Sequence, residues 1–425
     1  MLKERVYFCV DLKSFYASVE CVERGQDPFN YNLVVADSSR GEGAICLAVS
    51  PALKLRGIGG RCRLFEIPKD VSYVIAKPRM KLYMEYSSFI YSIYLNFFCK
   101  EDIHVYSVDE CFVDVTEYLS LYNMHPRELA EKFVNEIYSK TKITAAVGIG
   151  TNLFLAKVAL DISAKYSKNF IGYLDLQLFK ETIWHHKPLS DVWNVGKGIS
   201  KRLEKYGIYD LYGIATCNEE LLYKEFGVNA ELLIDHAKGI EPCTIEDIHN
   251  YKSNNNSLSN SQILFENYSH KEALIVLREM VYQMSLNMVE KNLVCNSISL
   301  NIGYADRKIP SNGGMQKLIE YTNAYSVLLN EFLKLFKKFA NKNFLIRKIS
   351  IGCNHVIEEV YTTYNLFFSG ERLFKENKVA KSVIEIKKKH GKNSILKGLN
   401  FIEKATAIER NKMIGGHKSG EDDED

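Results

Sequence analysis

The sequence predicts a multidomain α+β chain. Three observations carry that expectation: its length, the order of apolar segments in the first 150 residues, and a second strand–helix series after an Asn/Ser-rich break. At 425 residues and roughly 150 residues per domain, about three domains are expected. A hydrophobic fraction of 46% supplies real cores, and 25% charged residues is ordinary for a globular protein.

Val6–Val10 is a short apolar run and reads as a buried strand. A helix follows over about Ser14–Arg24. Leu33–Ala36 and Ala44–Val49 are two further strands with the Gly41–Gly43 turn between them. After Pro78, Tyr83–Phe98 reads as an aromatic-rich helix. Ile103–Tyr106 and Cys111–Val115 form the arms of a hairpin, Pro126–Lys140 a helix, and Thr144–Ile149 a strand. Strand, helix, hairpin, helix, strand, with an insertion after the first helix, is a split βαβ, ferredoxin-like order.

Beyond Asp175 the pattern turns to short helices punctuated by Gly196, Gly198 and Gly207. Tyr251–Asn260 is polar and reads as a linker. Then come Ser257–Phe265 (strand), His270–Glu290 (helix), Cys295–Gly303 and Gln316–Tyr321 (strands), Tyr325–Phe339 (helix) and Arg347–His355 (strand). This is a second α+β domain of β-α-β-β-α-β order. The remainder reads as a charged tail with basic Lys387–Lys389 and a wholly acidic Glu421–Asp425, the latter expected to be disordered.

The formal net charge is +3, so any surface for nucleic acid must be local. None of the 10 cysteines forms a C-x-x-C pair, and their spacings do not match a zinc site or a small disulfide scaffold. Cys9, Cys111 and Cys295 lie in apolar runs and read as core. No stretch has the ~20 apolar residues of a membrane span, and the first residues lack the apolar run of a signal peptide. A cytoplasmic protein without a membrane role is expected.

Acidic residues stand where strands end. Asp11 closes the first apolar strand, and Asp109 and Glu110 sit at the hairpin tip. If that strand lies beside the hairpin, the three converge. Crowded carboxylates repel, and burial adds to the cost; a divalent cation removes it. Hard oxygen ligands suit Mg2+, and two such ions about 4 Å apart could activate a hydroxyl nucleophile and stabilise a pyrophosphate leaving group. An Asp-Glu pair at a turn is otherwise simply solvated. Strand alternation leaves the direction of Asp114 open.

Val10-Asp-Leu-Lys-Ser-Phe-Tyr-Ala-Ser-Val-Glu20 resembles the opening motif of the Y-family DNA polymerases, and Ser107-Val-Asp-Glu110 resembles that family's second catalytic motif. The similarity extends over most of the chain. It is nearest to the UmuC-like (ImpB/MucB/SamB) translesion polymerases of Gram-positive bacteria and their mobile elements. It implies a right-hand polymerase: palm 1–25 and 79–175, fingers 26–78, a helical thumb 176–250, a little finger 257–356, and a tail 357–425. It also implies Asp11, Asp109 and Glu110 as catalytic metal ligands, helped by the Leu12 carbonyl, with two Mg2+ ions. The implied activity is low-fidelity synthesis past DNA damage from dNTPs on primer-template DNA, by a monomer, within an SOS response and mutagenesis.

In the nucleotide pocket the resemblance makes Tyr16 the steric gate against a 2′-hydroxyl, with Phe15 beneath it or simply in the core. Lys54 falls where the family meets the triphosphate. Many members carry Arg there and a Tyr three residues earlier, where this chain has Pro51, so the bidentate fork of Arg is lost. Lys157 and Lys165 are further phosphate candidates. Ser50, Pro51 and Ala52 are small and suggest a roomy pocket. Gly148 and Gly150 do not form G-x-G-x-x-G and are no Rossmann signal.

Asn194–Ile208 looks like a helix-hairpin-helix, in which Gly196 and Gly198 admit a phosphate to backbone amides and Lys197, Lys201 and Arg202 add charge. A plain helical turn is the alternative. Such a grip positions DNA without reading bases. Lys334, Lys337, Lys338, Lys342 and Lys348 either face phosphates or form a solvated face. In the tail, Tyr364-Asn-Leu366-Phe367 resembles the end of a sliding-clamp peptide, with Thr363 where such peptides start with Gln. Two rivals share parts of this pattern. A nucleotide cyclase has the palm and paired acids but no use for a helix-hairpin-helix, and a non-catalytic DNA-binding repair scaffold would not need the three acids.

Overall fold

The computed structural model describes residues 5–164, 167–253, 256–360 and 370–420. The chain divides into two compact units, Met1–Tyr251 and Lys252–Asp425.

The first unit opens with β1 (Tyr7–Leu12), buried along nearly its whole length, and α1 (Phe15–Glu23). A small layer follows: β2 (Leu33–Val35), β3 (Ala48–Val49), α2 (Pro51–Leu55) and β4 (Val74–Ala76), with strand order β3-β2-β4 around Val34, Cys46 and Leu53. Only Ala48–Val49 of the expected 44–49 strand pairs, because Ile45 makes an isolated bridge to Arg63 instead. Then come α3 (Met80–Tyr94), β5 (Ile103–Val105), β6 (Glu110–Asp114), α4 (Thr116–Tyr122), α5 (Pro126–Thr141), β7 (Ala145–Gly150), α6 (Leu153–Val158) and β8 (Ile171–Leu174). Their sheet runs β5-β6-β1-β7-β8. Its first four strands have the expected ferredoxin-like order. β8 is an addition, four residues parallel to β7, too short for the sequence pattern to announce.

A group of short helices completes the unit: α7 (Leu176–Thr182), α8 (Lys197–Glu204), α9 (Leu211–Thr216), α10 (Glu219–Phe226), α11 (Asn229–Ala237) and α12 (Ile245–Asn250). Most pack around Phe179, Leu203, Leu222 and Leu233. Each helix is too short to stand alone, so the shared apolar core holds them.

The second unit contains β9 (Ser257–Tyr268), α13 (His270–Glu290), β10 (Leu293–Tyr304), β11 (Asn312–Thr322), α14 (Tyr325–Phe339) and β12 (Ile346–Asn354). The element order matches the β-α-β-β-α-β expectation. The sheet is antiparallel throughout and runs β11-β10-β12-β9. The last strand therefore lies between the first and second, unlike the ferredoxin-like order of the other unit. Leu277, Val281, Ile298, Phe332 and Phe336 fill its core. Ser269 opens α13 with a reciprocal capping box to Glu272.

The structure corrects the expectation of a charged tail. After β13 (Ile357–Glu358), α15 (Gly370–His390), α16 (Ala407–Asn411) and the β14 (Met413–Ile414)–β15 (His417–Lys418) hairpin are folded. Their anchor is Glu279 on α13, which is 6% exposed. Its carboxylate accepts bonds from Asn400 Nδ2 (2.8 Å), Thr406 N (2.8 Å), Thr406 Oγ1 (3.1 Å) and Ala407 N (3.2 Å). Lys397 lies over the rings of Tyr282 and Tyr325, its ammonium 3.7 and 3.6 Å from their centroids. Polar residues far apart in sequence make these contacts, which is why periodicity did not reveal them. The acidic 421–425 end lies outside the described residues.

Glu279→Ala leaves four backbone and side-chain donors without their acceptor. Its expected cost is about 2–4 kcal/mol in urea unfolding. Limited proteolysis of the variant should cut within 391–418 sooner than in the parent.

Candidate active site

β1 and β6 are antiparallel neighbours, and their register sets Asp11 directly opposite Glu110. Side chains of such a pair share a face with Cβ atoms about 5 Å apart. Leu12 N donates to Asp109 O at 2.9 Å, which fixes the hairpin tip against the end of β1. The three expected acids thus reach one end of the central sheet. Asp114 lies at the other end of β6, opposite Tyr7. There it accepts bonds from Thr116 N (3.0 Å) and Thr116 Oγ1 and plays no part in the site.

The charges there are strongly coupled. Burial, then the Asp109 carboxylate, then Glu110 push the Asp11 carboxyl up to about 7. Hard oxygen donors held at such a cost suit a divalent cation. Among the described residues, no three His, Cys, Asp or Glu side chains stand close enough together to hold an ion. Glu110 is engaged elsewhere: Lys157 Nζ lies 2.8 Å from its Oε1, and the Cys9 thiol donates to the same oxygen at 3.2 Å. Ser107 Oγ donates to Asp109 Oδ1 at 2.7 Å.

Lys157 was expected to meet a triphosphate. Instead its side chain is 9% exposed and bridges Glu110 and Asp161 Oδ1 (3.1 Å). Gly148 and Gly150 explain the placement. A Cβ on either would fall within about 2.1 Å of the α6 backbone at Ala156 O (2.0 Å) and Ala156 N (2.1 Å). With hydrogen in that place, α6 sits directly on β7 and carries its lysine beneath the sheet end. These are packing glycines, and neither belongs to a nucleotide loop. Lys165 lies outside the described residues.

Phe15 is 2% exposed and belongs to the core, the second of its two readings. Tyr16 is half-buried and stacks on Tyr83, with centroids 4.6 Å apart and planes at 17°. Burial and then the Asp109 charge raise the Tyr16 phenol. Lys54 is exposed on the last turn of α2. Ser50, Pro51 and Ala52 do not open a pocket: all three are buried at the start of α2, and Ser50 Oγ accepts from Leu33 N at 3.1 Å.

In the helix-hairpin-helix segment, Gly196, Lys197, Gly198 and Lys201 are exposed. Nothing lies within 4 Å of where a Cβ would stand on either glycine, so the start of α8 is open on that side. Arg202 is a correction. Its Nε donates to Glu225 Oε1 at 2.7 Å and its guanidinium lies 4.2 Å from the Phe226 ring, so it ties α8 to α10. The clamp-peptide residues Thr363, Tyr364, Leu366 and Phe367 lie outside the described residues.

Two family models match this chain: the impB/mucB/samB family over residues 10–161 and the impB/mucB/samB C-terminal domain over residues 255–365. UvrX of Bacillus subtilis (strain 168) is 31% identical over 414 residues, 97% of each chain. The chain belongs to the impB/mucB/samB family. As a UmuC-like member of the Y family it is also similar to DNA polymerase IV 2 of the same Bacillus, at 29% identity over 98% of this chain and all of that one. Its fold resembles a Y-family DNA polymerase chimera of Dbh and Dpo4, with a TM-score of 0.63 at 23% identity, covering 83% of this chain and 99% of the other. The first family match contains Asp11, Asp109, Glu110, Tyr16, Lys54 and Lys157.

Sequence reasoning missed Cys9, Asp161, Glu20 and Tyr83 as neighbours of the site. The i,i+4 spacing of Lys157 with Asp161, and of Tyr16 with Glu20, was the available signal.

Lys157→Met keeps the aliphatic stem and removes the bridging charge. Because it leaves two carboxylates without their cation, an expected loss of about 3–5 kcal/mol should appear in urea unfolding.

Proposed function

We infer that this impB/mucB/samB member is a template-directed DNA polymerase that copies damaged templates. The observation that carries the reading is the Asp11–Glu110 pair with Asp109 beside it, at the end of the central sheet of a chain whose relatives include proteins named DNA polymerase IV. The reaction joins the primer 3′-hydroxyl oxygen to the α-phosphorus of a dNTP and breaks the bond to the β-phosphate bridge, releasing pyrophosphate.

Asp11, Asp109 and Glu110, with the Leu12 carbonyl, would hold divalent cations once Glu110 exchanges Lys157 for the ion and the three side chains draw together, and we propose two Mg2+. Bound there, the ions would lower the hydroxyl's pKa and offset charge on the leaving group. The remaining work is positioning. Tyr16, half-buried and stacked on Tyr83, faces the sugar and narrows the space for a 2′-hydroxyl. Lys54 is a point charge for the triphosphate. The amides at Gly196 and Gly198, with Lys197 and Lys201, suit a DNA backbone phosphate, because open glycines and a helix start favour an anion. The reading carries a sliding-clamp contact at 363–367 and a cytoplasmic monomer as further proposals. No helix among the described residues is long and apolar enough to cross a membrane.

Primer extension on a templated duplex with Mg2+ tests the reaction. Asp109→Ala and Glu110→Ala should each reduce single-nucleotide insertion by at least ~10^2-fold, while a folded parent that adds no deoxynucleotide overturns the proposal. A template carrying an abasic site tests bypass. For the DNA grip, log affinity plotted against log salt should lose about one unit of slope in Lys197→Ala.

A further inference from the structure

One buried ionisable group in the first unit has no part in the proposed chemistry. Glu20, on α1, has a fully buried side chain. Arg79 grips it with both arms of its guanidinium, Nε to Oε1 at 2.9 Å and Nη2 to Oε2 at 2.9 Å. Arg24 donates to Oε2 as well. The fourth donor is the Tyr83 hydroxyl, 2.8 Å from Oε1. Burial pushes the Glu20 carboxyl up, yet hydrogen bonds from Arg79, Arg24 and Tyr83 hold it below its usual range. It is therefore a charged, fully committed anchor.

The other face of this anchor is the nucleotide pocket. Tyr83 is itself 0% exposed, and its ring carries the Tyr16 ring in a near-parallel stack. Stacking alone leaves a ring free to slide, since offset arrangements differ little in energy. A charge-assisted hydrogen bond is directional and strong. With its hydroxyl tied to Glu20, Tyr83 has one position, and the plane it presents to Tyr16 is fixed. Tyr16 and Glu20 are four residues apart on α1, so the gate and the anchor of its support are rigidly spaced.

We propose that Glu20 is a positioning residue for sugar selection: clamped by Arg79, it fixes Tyr83, and Tyr83 fixes the angle at which Tyr16 meets the sugar of the incoming nucleotide. The proposal rests on Tyr16 as the gate. Arg79 lies on the chain entering α3, so a joint between α1 and α3 governs a property of the pocket.

The test is the ratio of insertion efficiencies for a dNTP and the matching rNTP on one primer-template. Tyr83→Phe keeps the stacked ring and removes only the bond to Glu20. Glu20→Gln keeps the shape and removes the charge. Each should lower the preference for deoxynucleotide roughly five- to tenfold, acting through the transition-state fit of the sugar. On a Tyr16→Ala background, Tyr83→Phe should lower it no further, because residues acting through one another are not additive. An unchanged ratio in Tyr83→Phe overturns the proposal, even if Glu20→Gln fails to fold. So does a further loss on the Tyr16→Ala background. If Tyr16→Ala itself leaves the ratio at the parent value, the gate assignment falls and this inference with it. Absence of any dNTP addition by the parent would instead strike the polymerase reading.

Discussion

Three carboxylates stand at the end of a buried strand pair, where burial and mutual repulsion both oppose their charge. Asp11 bears the cost: burial first, then the Asp109 and Glu110 charges, push its carboxyl up to about 7. A sheet end can sustain such an arrangement only if the backbone enforces it. Here the β1–β6 register and the Leu12–Asp109 hydrogen bond do so. The same feature that makes the site costly makes it receptive to positive charge, and an internal cation already supplies some of it. Lys157 reaches Glu110 from below the sheet. It can do so because two glycines on β7 let α6 approach to backbone contact. Charge, packing and glycine placement are one arrangement seen at three scales.

Much of this was legible in the sequence. The acids were visible because each sits where an apolar run stops, and a strand end beside a hairpin tip has few places to go. The strand, helix, hairpin, helix, strand succession of the first unit was readable from the apolar runs, and α13 and α14 kept their expected limits of His270–Glu290 and Tyr325–Phe339. What escaped depends on which neighbour a side chain meets across the fold. Lys157 and Arg202 each look like surface cations in one dimension. One is buried by the closeness of a strand, and the other is captured by a carboxylate and a ring on a different helix. Ser50 likewise looks like part of a small-residue pocket, yet it caps α2. Local pattern reports periodicity well and partnership poorly.

The two α+β sheets make the same point about topology. Both are built from strand, helix, two strands, helix, strand. In one, the first strand lies between the third and fourth; in the other, the fourth lies between the first and second. Element order limits the choices without selecting among them, because hairpins must pair but crossover strands can dock on either side. In the first unit that choice makes β1 central and so brings Asp11 beside the hairpin. With the other order, β1 would stand at an edge, away from β6, and the acids would not meet.

Each unit also carries a buried glutamate saturated with donors: Glu20 in the first and Glu279 in the second. Apolar burial stabilises a fold without specifying direction, and a slide of one ring over another costs it little. A buried carboxylate with every partner in place is different, since each bond has a preferred line and losing one leaves a costly orphan. Glu279 uses this to seat the C-terminal segment through Asn400, Thr406 and Ala407. Glu20 uses it to hold Tyr83, and through a stacked ring the direction passes to Tyr16. Where the fold must set an angle rather than merely exclude water, it uses a charge with no freedom left.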